Sequence, residues 1–327
     1  MSPSRTPRTS RTPSPSPSSP DSTDARSVAR AIRRESLRAT LTLGGGYLAQ
    51  ACSSAELLAV LYCDVLRLGK PLALPAARLG GPEAALGGGR HNGQADEGSD
   101  RFLIGSCHYA MAVYSALAAC GRLDPSALGL LGESGWNMEL VASAASPGYE
   151  TTTGSLGQTL SCACGCAHAS RLLGRERRVF CLATDGELDE GQMWEAIQAA
   201  GARRLDNLVL AVDVNRQQAE GWTEDISPLE PLGRRLEDFG WAVARVDGHD
   251  VDALRAAFAT EHAGRPLCVL CDTDPARGIP AMADVVPCHF VHVTDELRPR
   301  LQADLDALSR TPVAACSEGG EPLAPRA

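Results

Sequence analysis

Apolar residues recur every three to four positions between Ser27 and Leu43, through Ile32, Leu37 and Leu41, and predict an amphipathic helix. Ser53-Ser-Ala-Glu56 has the form of a capping box. It predicts a second helix that starts there and reaches about Asp64, with Leu57, Leu58, Leu61 and Val65 turned inward. Residues 80–100 are glycine-rich and polar and read as a loop. A further helix is expected from about His108 to Ala119, stopping at Gly121. After residue 150 the pattern changes. A helix of small residues, Thr159 to Leu173, precedes four short apolar runs: VFCLAT (179–184), LVLAVD (208–213), VARV (243–246) and LCVLCD (267–272). Such runs suit strands buried on both faces. Helical stretches near Gly191 to Arg204 and Val251 to His262 fall between them. Strands alternating with helices predict an α/β fold, a mostly parallel sheet with helices on both faces.

The ends differ from this middle. Residues 1–26 are rich in Ser, Pro and Arg and lack an apolar pattern, as do residues 309–327. One domain, 27–308, is therefore expected between two disordered tails. Composition narrows the class further. Hydrophobic residues are 44% and charged residues 22%, which excludes a wholly disordered or fibrous chain. The net charge of −9 argues against a broad nucleic-acid surface. No stretch approaches the roughly 18 apolar residues of a membrane span, and the first twenty residues hold no apolar segment of a secretory signal. Neither a membrane nor a nucleic-acid partner is expected. Twelve cysteines are scattered, with Cys268 and Cys271 as the only CxxC pair, inside an apolar run. That usage suits reduced thiols in the cytoplasm.

Ligands of open parallel sheets bind beyond the carboxyl ends of the strands. VFCLAT runs into Asp185-Gly186-Glu187, and LVLAVD is followed by Val214 and Asn215. Asp185 and Asn215 are 30 residues apart, one strand-helix-strand unit, so both reach one rim. Their oxygens are hard ligands suited to Mg²⁺. Taken alone, they read more readily as ordinary turn residues.

The surrounding string adds to this. TDGELDEGQMWEAIQAAGARRLDNLVLAVDVNRQQAEGWTEDI (184–226) resembles the thiamine-diphosphate motif, Gly-Asp-Gly followed about 25–30 residues later by Asn, and more narrowly that of transketolases. SSAELLAVLY (53–62), DRFLIGSCHYAMAVYSALAACG (100–121), PGYETTTGSLGQTLSCACGCAHA (147–169), VDGHD (246–250) and DTDPARGI (272–279) are similar to further segments of that family. The likeness covers about residues 27–308 and corresponds to the N-terminal, diphosphate-binding part, as in a split transketolase.

What the resemblance implies can be placed residue by residue. Asp185, Asn215 and the Gln217 carbonyl would hold Mg²⁺ on the diphosphate of the cofactor. Gly154, Ser155, Leu156 and Gly157 would approach thiamine diphosphate closely. Gly186 would let the chain turn beside the phosphates, with Glu187 next to it. His108 would lie near the diphosphate and His289 near the reactive carbon and the sugar. Glu190 and Glu195 match two glutamates that link the paired active sites, and they could converge only if Glu190 precedes its helix. The implied reaction is transfer of a two-carbon ketol unit from a sugar-type donor to an aldehyde. The implied partner is a C-terminal transketolase subunit with the pyrimidine-binding domain and its catalytic Glu, two copies of each chain forming a heterotetramer. Two alternatives stay open: an α-type subunit of a 2-oxo acid dehydrogenase, and a non-catalytic regulatory subunit. Four positions depart from the family: Thr184 for the first Gly, Tyr47 for a substrate-loop His, Gly105-Ser-Cys-His108 for Ser-x-Gly-His, and Pro275-Ala-Arg-Gly278 for Lys-Gly-x-Gly. They fall on the substrate channel and spare the metal site.

Overall fold

The computed structural model of the chain describes residues 24–85, 87–93 and 98–310. Most of both expected tails, 1–23 and 311–327, lies outside the described residues. Helix α1 (Ala25–Leu43) begins two residues earlier than the periodicity suggested, because the Asp24 carboxylate accepts from the Ser27 amide and caps it. It stops at Gly44, which is left-handed (φ 76°). The short strand β1 (Gly45–Gly46) leads into α2 (Leu48–Val60), which continues as a π-turn over Leu61–Val65.

The capping box is therefore misplaced. Ser53 lies inside α2, since Leu48, Ala49 and Ala51 ahead of it are already buried helix. Its hydroxyl donates instead to Asp213, at 2.6 Å. The glycine-rich loop holds a one-turn helix, α3 (Pro82–Ala85), and a 3-10 turn at Gly88–Asn92. Strand β2 (Arg101–Ile104) follows, then a 3-10 turn at Cys107–Tyr109 and α4 (Ala110–Ala119). Helix α5 (Gln158–Leu172), β3 (Val179–Thr184), α6 (Gly191–Ala202) and β4 (Leu208–Val214) agree with the pattern within two residues. The chain closes with α7 (Thr223–Ile226), α8 (Leu232–Asp238), β5 (Ala242–Asp247), α9 (Val251–Phe258), β6 (Leu267–Asp272), β7 (Val291–His292) and α10 (Leu297–Arg310).

Five strands form one parallel sheet in the order β2-β3-β4-β6-β5. Alternate residues of these strands face opposite layers. Phe102, Phe180, Val209 and Val269 pack under α1, α2, α4 and α9. Leu103, Cys181, Leu210 and Leu270 pack under α5, α6 and α8. A third apolar cluster joins α1 and α2 to α10 through Leu37, Leu48, Leu301 and Val291. The sheet is thus covered on both faces, and β1 and β7 form a separate antiparallel ladder. Leu48–Val65 is long and apolar enough to cross a bilayer by composition, contrary to the sequence expectation. It is 78% buried here, as the central core helix.

Candidate active site

The parallel strands deliver their following residues to one rim. Gly105 follows β2, Asp185 follows β3, Asn215 follows β4 and Thr273 follows β6. Backbone bonds extend the ladder to this rim: Gly105 donates to Leu182, Asp185 to Asp213 and Thr273 to Val214, at 2.8, 3.1 and 3.1 Å.

Asp185 is 2% exposed. Its carboxylate accepts from the amides of Gly186 (3.0 Å) and Arg216 (2.8 Å) and from the Thr223 hydroxyl (3.1 Å). Burial and then the charge of Asp213 push its carboxyl up to about 7 despite those donors. Asn215 is also buried, and its Oδ1 accepts from the Gln217 amide at 2.9 Å. One turn of chain therefore fixes both side chains through the amides of Arg216 and Gln217. Arg216 is left-handed (φ 60°), which directs that turn. The Gln217 side chain braces the segment before β7, exchanging two 3.1 Å bonds with the Cys288 backbone.

Asp213 is the residue that the sequence reading passed over. It is fully buried. Its carboxylate accepts from Ser53, from the Tyr109 hydroxyl (2.5 Å), from the Asn215 amide nitrogen (3.3 Å) and from Thr273. Tyr109 also accepts from Asn215, at 3.2 Å. Asp213 thereby turns the nitrogen of Asn215 inward. A lone carboxylate at the end of an otherwise apolar run was the available signal.

The glycine loop divides. Gly154 (φ 113°) and Leu156 line the main cavity, while Ser155 is exposed and accepts from Gln158. Gly157 (φ 85°) is buried and donates its amide to Glu187 at 3.0 Å. Glu187 is 1% exposed and is pushed up to about 7, chiefly by burial. It supports Gly157 from within, and a Cβ at Gly105 would meet its Oε2 at 2.2 Å. Gly186 opens the 3-10 turn Gly186–Asp189, so the chain does turn tightly there, without a left-handed backbone. Its missing side chain leaves room for Gln218, which a Cβ would meet at 3.3 Å.

The main cavity at this rim has a volume of about 280 Å³. Tyr47, Gln50, His108, Asn215, Gln217 and His289 line it, with Gly154 and Gly186. Asp185 borders a smaller cavity of about 150 Å³ with Arg216 and Thr223. The His108 and His289 rings are 4.6 Å apart between centroids, and Tyr47 lies 5.4 and 5.5 Å from them. Burial, then His289, lowers the His108 pKa to about 3. Burial lowers that of His289 too. Gln50 Nε2 donates to the His289 carbonyl (3.1 Å) and lies 3.3 Å from its Nδ1. A carbonyl only accepts, so the atom facing it is the amide nitrogen. Nδ1 is then the acceptor and the ring proton sits on Nε2.

Glu190 and Glu195 are both exposed on this chain. Glu190 is the N-cap of α6, with extended backbone (φ −77°, ψ 126°), so it does precede the helix. Its side chain lies against Gly157, where a Cβ would come within 2.7 Å. No group of three or more metal-type side chains occurs among the described residues.

Residues 91–296 match the sequence profile described as transketolase, thiamine diphosphate binding domain. The chain is 39% identical to a transketolase family protein of Sinorhizobium fredii described as uncharacterized, over 81% of this chain and 89% of that protein. It is 32% identical to the 6-deoxy-6-sulfo-D-fructose transketolase subunit of a Clostridium strain, over 86% of this chain and 96% of that one. Against transketolase-like protein 2 of Bos taurus it is 31% identical and spans 45% of that protein. The transketolase structure from Campylobacter jejuni superposes with a TM-score of 0.70 at 23% identity, covering 86% of this chain and 42% of that chain. The last comparison concerns the fold alone.

Proposed function

The chain belongs to the transketolase family, and from that premise we propose that it is the diphosphate-anchoring subunit of a two-component enzyme that transfers a two-carbon ketol unit. The observation that carries this is the cavity beyond β3 and β4, where Asn215, Gln217, Gly154, Gly186, His108 and His289 converge. A relative of nearly the same length is itself described as a subunit. That supports a separate partner with the pyrimidine-binding domain. We propose two copies of each chain, with Glu190 and Glu195 linking the paired sites, in the cytoplasm.

The residues fit Mg²⁺ with thiamine diphosphate. Asp185 is a buried carboxylate with no ion-pair partner among the described residues, pushed up to about 7 by burial and Asp213. A divalent ion would remove the penalty of its charge. Asp185 and the Asn215 and Gln217 oxygens would hold the ion, which accords with the few protein ligands Mg²⁺ takes. Bound there, the cofactor would supply the electron sink for breaking the carbon–carbon bond beside a ketone. The chain's own part is orientation and proton placement. His289 presents an Nε2–H donor, and a neutral His108 beside it can accept or donate at a sugar hydroxyl. The donor and acceptor are a ketose-type sugar and an aldehyde.

The test is thermal stabilisation by Mg²⁺ and thiamine diphosphate, followed by ketol-transfer assays with the co-expressed partner. Asp185→Ala is expected to abolish the stabilisation. Unchanged stabilisation in that variant would overturn the metal assignment, and turnover by the isolated chain would overturn the two-component reading.

A further inference from the structure

Helices α2 and α4 carry cavity residues at their N-terminal ends. Tyr47 and Gln50 belong to the first, Cys107 and His108 to the turn that opens the second. At the other end of the same pair lie two cysteines that the site does not use. Cys63 sits in the π-turn Leu61–Val65, whose bond from the Leu66 amide to the Leu61 carbonyl spans five residues. Cys120 is the C-cap of α4. Their sulfurs are in contact at 4.0 Å, and both residues are half-buried free thiols. At about 1.5 Å per residue, each cysteine is on the order of 15–20 Å along its helix from the cavity lining.

We propose that Cys63 and Cys120 are a modification site, a thiol pair that closes to a disulfide by exchange with a small disulfide and ties α2 to α4. Contact between the sulfurs means that closure needs only a small approach toward bonding distance. The two sulfurs are not equivalent. Beside their shared contact, the Arg122 charge favours the thiolate of Cys120, while the Asp64 charge disfavours that of Cys63. Cys120 is thus the attacking thiolate.

The exchange balances with glutathione disulfide as the oxidant class. The Cys120 thiolate attacks one of its sulfurs, forming a mixed disulfide and expelling one glutathione thiolate. Cys63 gives up its proton and attacks the Cys120 sulfur, expelling the second thiolate. Two cysteine thiols are oxidised, and one glutathione disulfide is reduced to two thiols. The closed bond would link positions 57 residues apart, a span long enough to restrict the unfolded chain appreciably.

The full chain is incubated with glutathione disulfide, digested without reductant and mapped by mass spectrometry. A cross-linked peptide joining Cys63 to Cys120 is expected, about 2 Da lighter than the sum of its parts. It should vanish in Cys63→Ser and in Cys120→Ser. The oxidised chain should melt several degrees higher, and dithiothreitol should reverse the shift. Cys162, which is exposed, reports whether the reagent has worked. Glutathionylated Cys162 with Cys63 and Cys120 still on separate peptides would overturn the proposal. So would a cross-link that pairs either with another cysteine. Mapping the unsubstituted chain decides the matter even if a serine variant folds poorly.

Discussion

The imidazoles of His108 and His289 stand 4.6 Å apart between centroids, tilted by 59°, although one follows β2 and the other precedes β7. Two cations at that separation repel, and burial disfavours charge on either ring. The pair is therefore built to stay neutral while facing a cavity that would hold an anionic diphosphate. Tyr47 closes the cluster, edge-on to His289 and 5.1 Å from Phe290. An aromatic wall thus occupies the place where the family resemblance implied a histidine.

This neutrality can be observed. His108 should show no protonation in ring-nitrogen NMR between pH 8 and 4, since its pKa is held at about 3. Its folded pKa lies below the unfolded value near 6.5. The folded chain therefore binds fewer protons, and stability is lost as pH falls from about 6.5 toward 3. His108→Asn should reduce that sensitivity by the share that His108 contributes. A His108 resonance titrating between pH 6 and 7 would contradict the assignment.

Asp213 offers a second test. Asp213→Asn keeps the shape but replaces an acceptor of four donors with a group that is half donor. The new amide would oppose the Asn215 nitrogen and rotate Asn215 away from its present orientation. Affinity for Mg²⁺ with thiamine diphosphate, read by thermal shift, should fall on the order of 10–100-fold. The fold should persist by circular dichroism, with a stability loss of about 1–3 kcal/mol. Unaltered cofactor affinity would show that Asp213 serves only the core.

These results show where the sequence was legible. VFCLAT and LCVLCD coincide residue for residue with β3 and β6, because a strand buried on both faces is a continuous apolar run with polar ends. Asp185 and Asn215 could be placed for the same reason, each standing just beyond such a run. The second helix was misread because Ser53 and Glu56 have capping spacing, while their side chains are drawn to Asp213, Arg33 and His249 from elsewhere in the chain. Tertiary partners of that kind leave no local mark. Strand β2 escaped for a different reason: four residues with an arginine at one end are too short a pattern to register. Helix α10 escaped because its buried face is only Leu297, Leu301 and Leu305.

Glu190 is expected to act in the assembled enzyme and not in the fold. It is exposed, makes no side-chain cap bond and lies against Gly157 at the head of α5. Glu190→Gln should leave the unfolding free energy of the isolated chain within about 0.5 kcal/mol of the parent. With the partner present, assembly should persist while activation by thiamine diphosphate falls. Equal activity of the variant and the parent across pH 6–9 would make Glu190 a solvated helix end.

Glu56 governs acid stability. Both its oxygens accept from Arg33 at 2.6 Å, and His249 Nδ1 lies 2.9 Å away. His249 Nε2 accepts from the Asp274 amide at 2.8 Å, so the ring proton is on Nδ1 and is donated to Glu56. Four segments meet here: α1, α2, the turn between β5 and α9 that carries His249, and the loop that carries Asp274, Pro275 and Arg277. Burial alone would raise the Glu56 pKa, but Arg33 and His249 outweigh it and hold it down to about 2. A carboxyl with a depressed folded pKa contributes stability that is complete above its unfolded value near 4.5. That contribution is lost as pH falls through about 2. Glu56→Gln should therefore cost about 3–5 kcal/mol at pH 7, since it also leaves Arg33 buried without its charge partner. The gap between parent and variant in urea melts should narrow steadily below pH 4.5. A gap that stays constant down to pH 2.5 would mean that Glu56 acts through packing, with no part in the charge network.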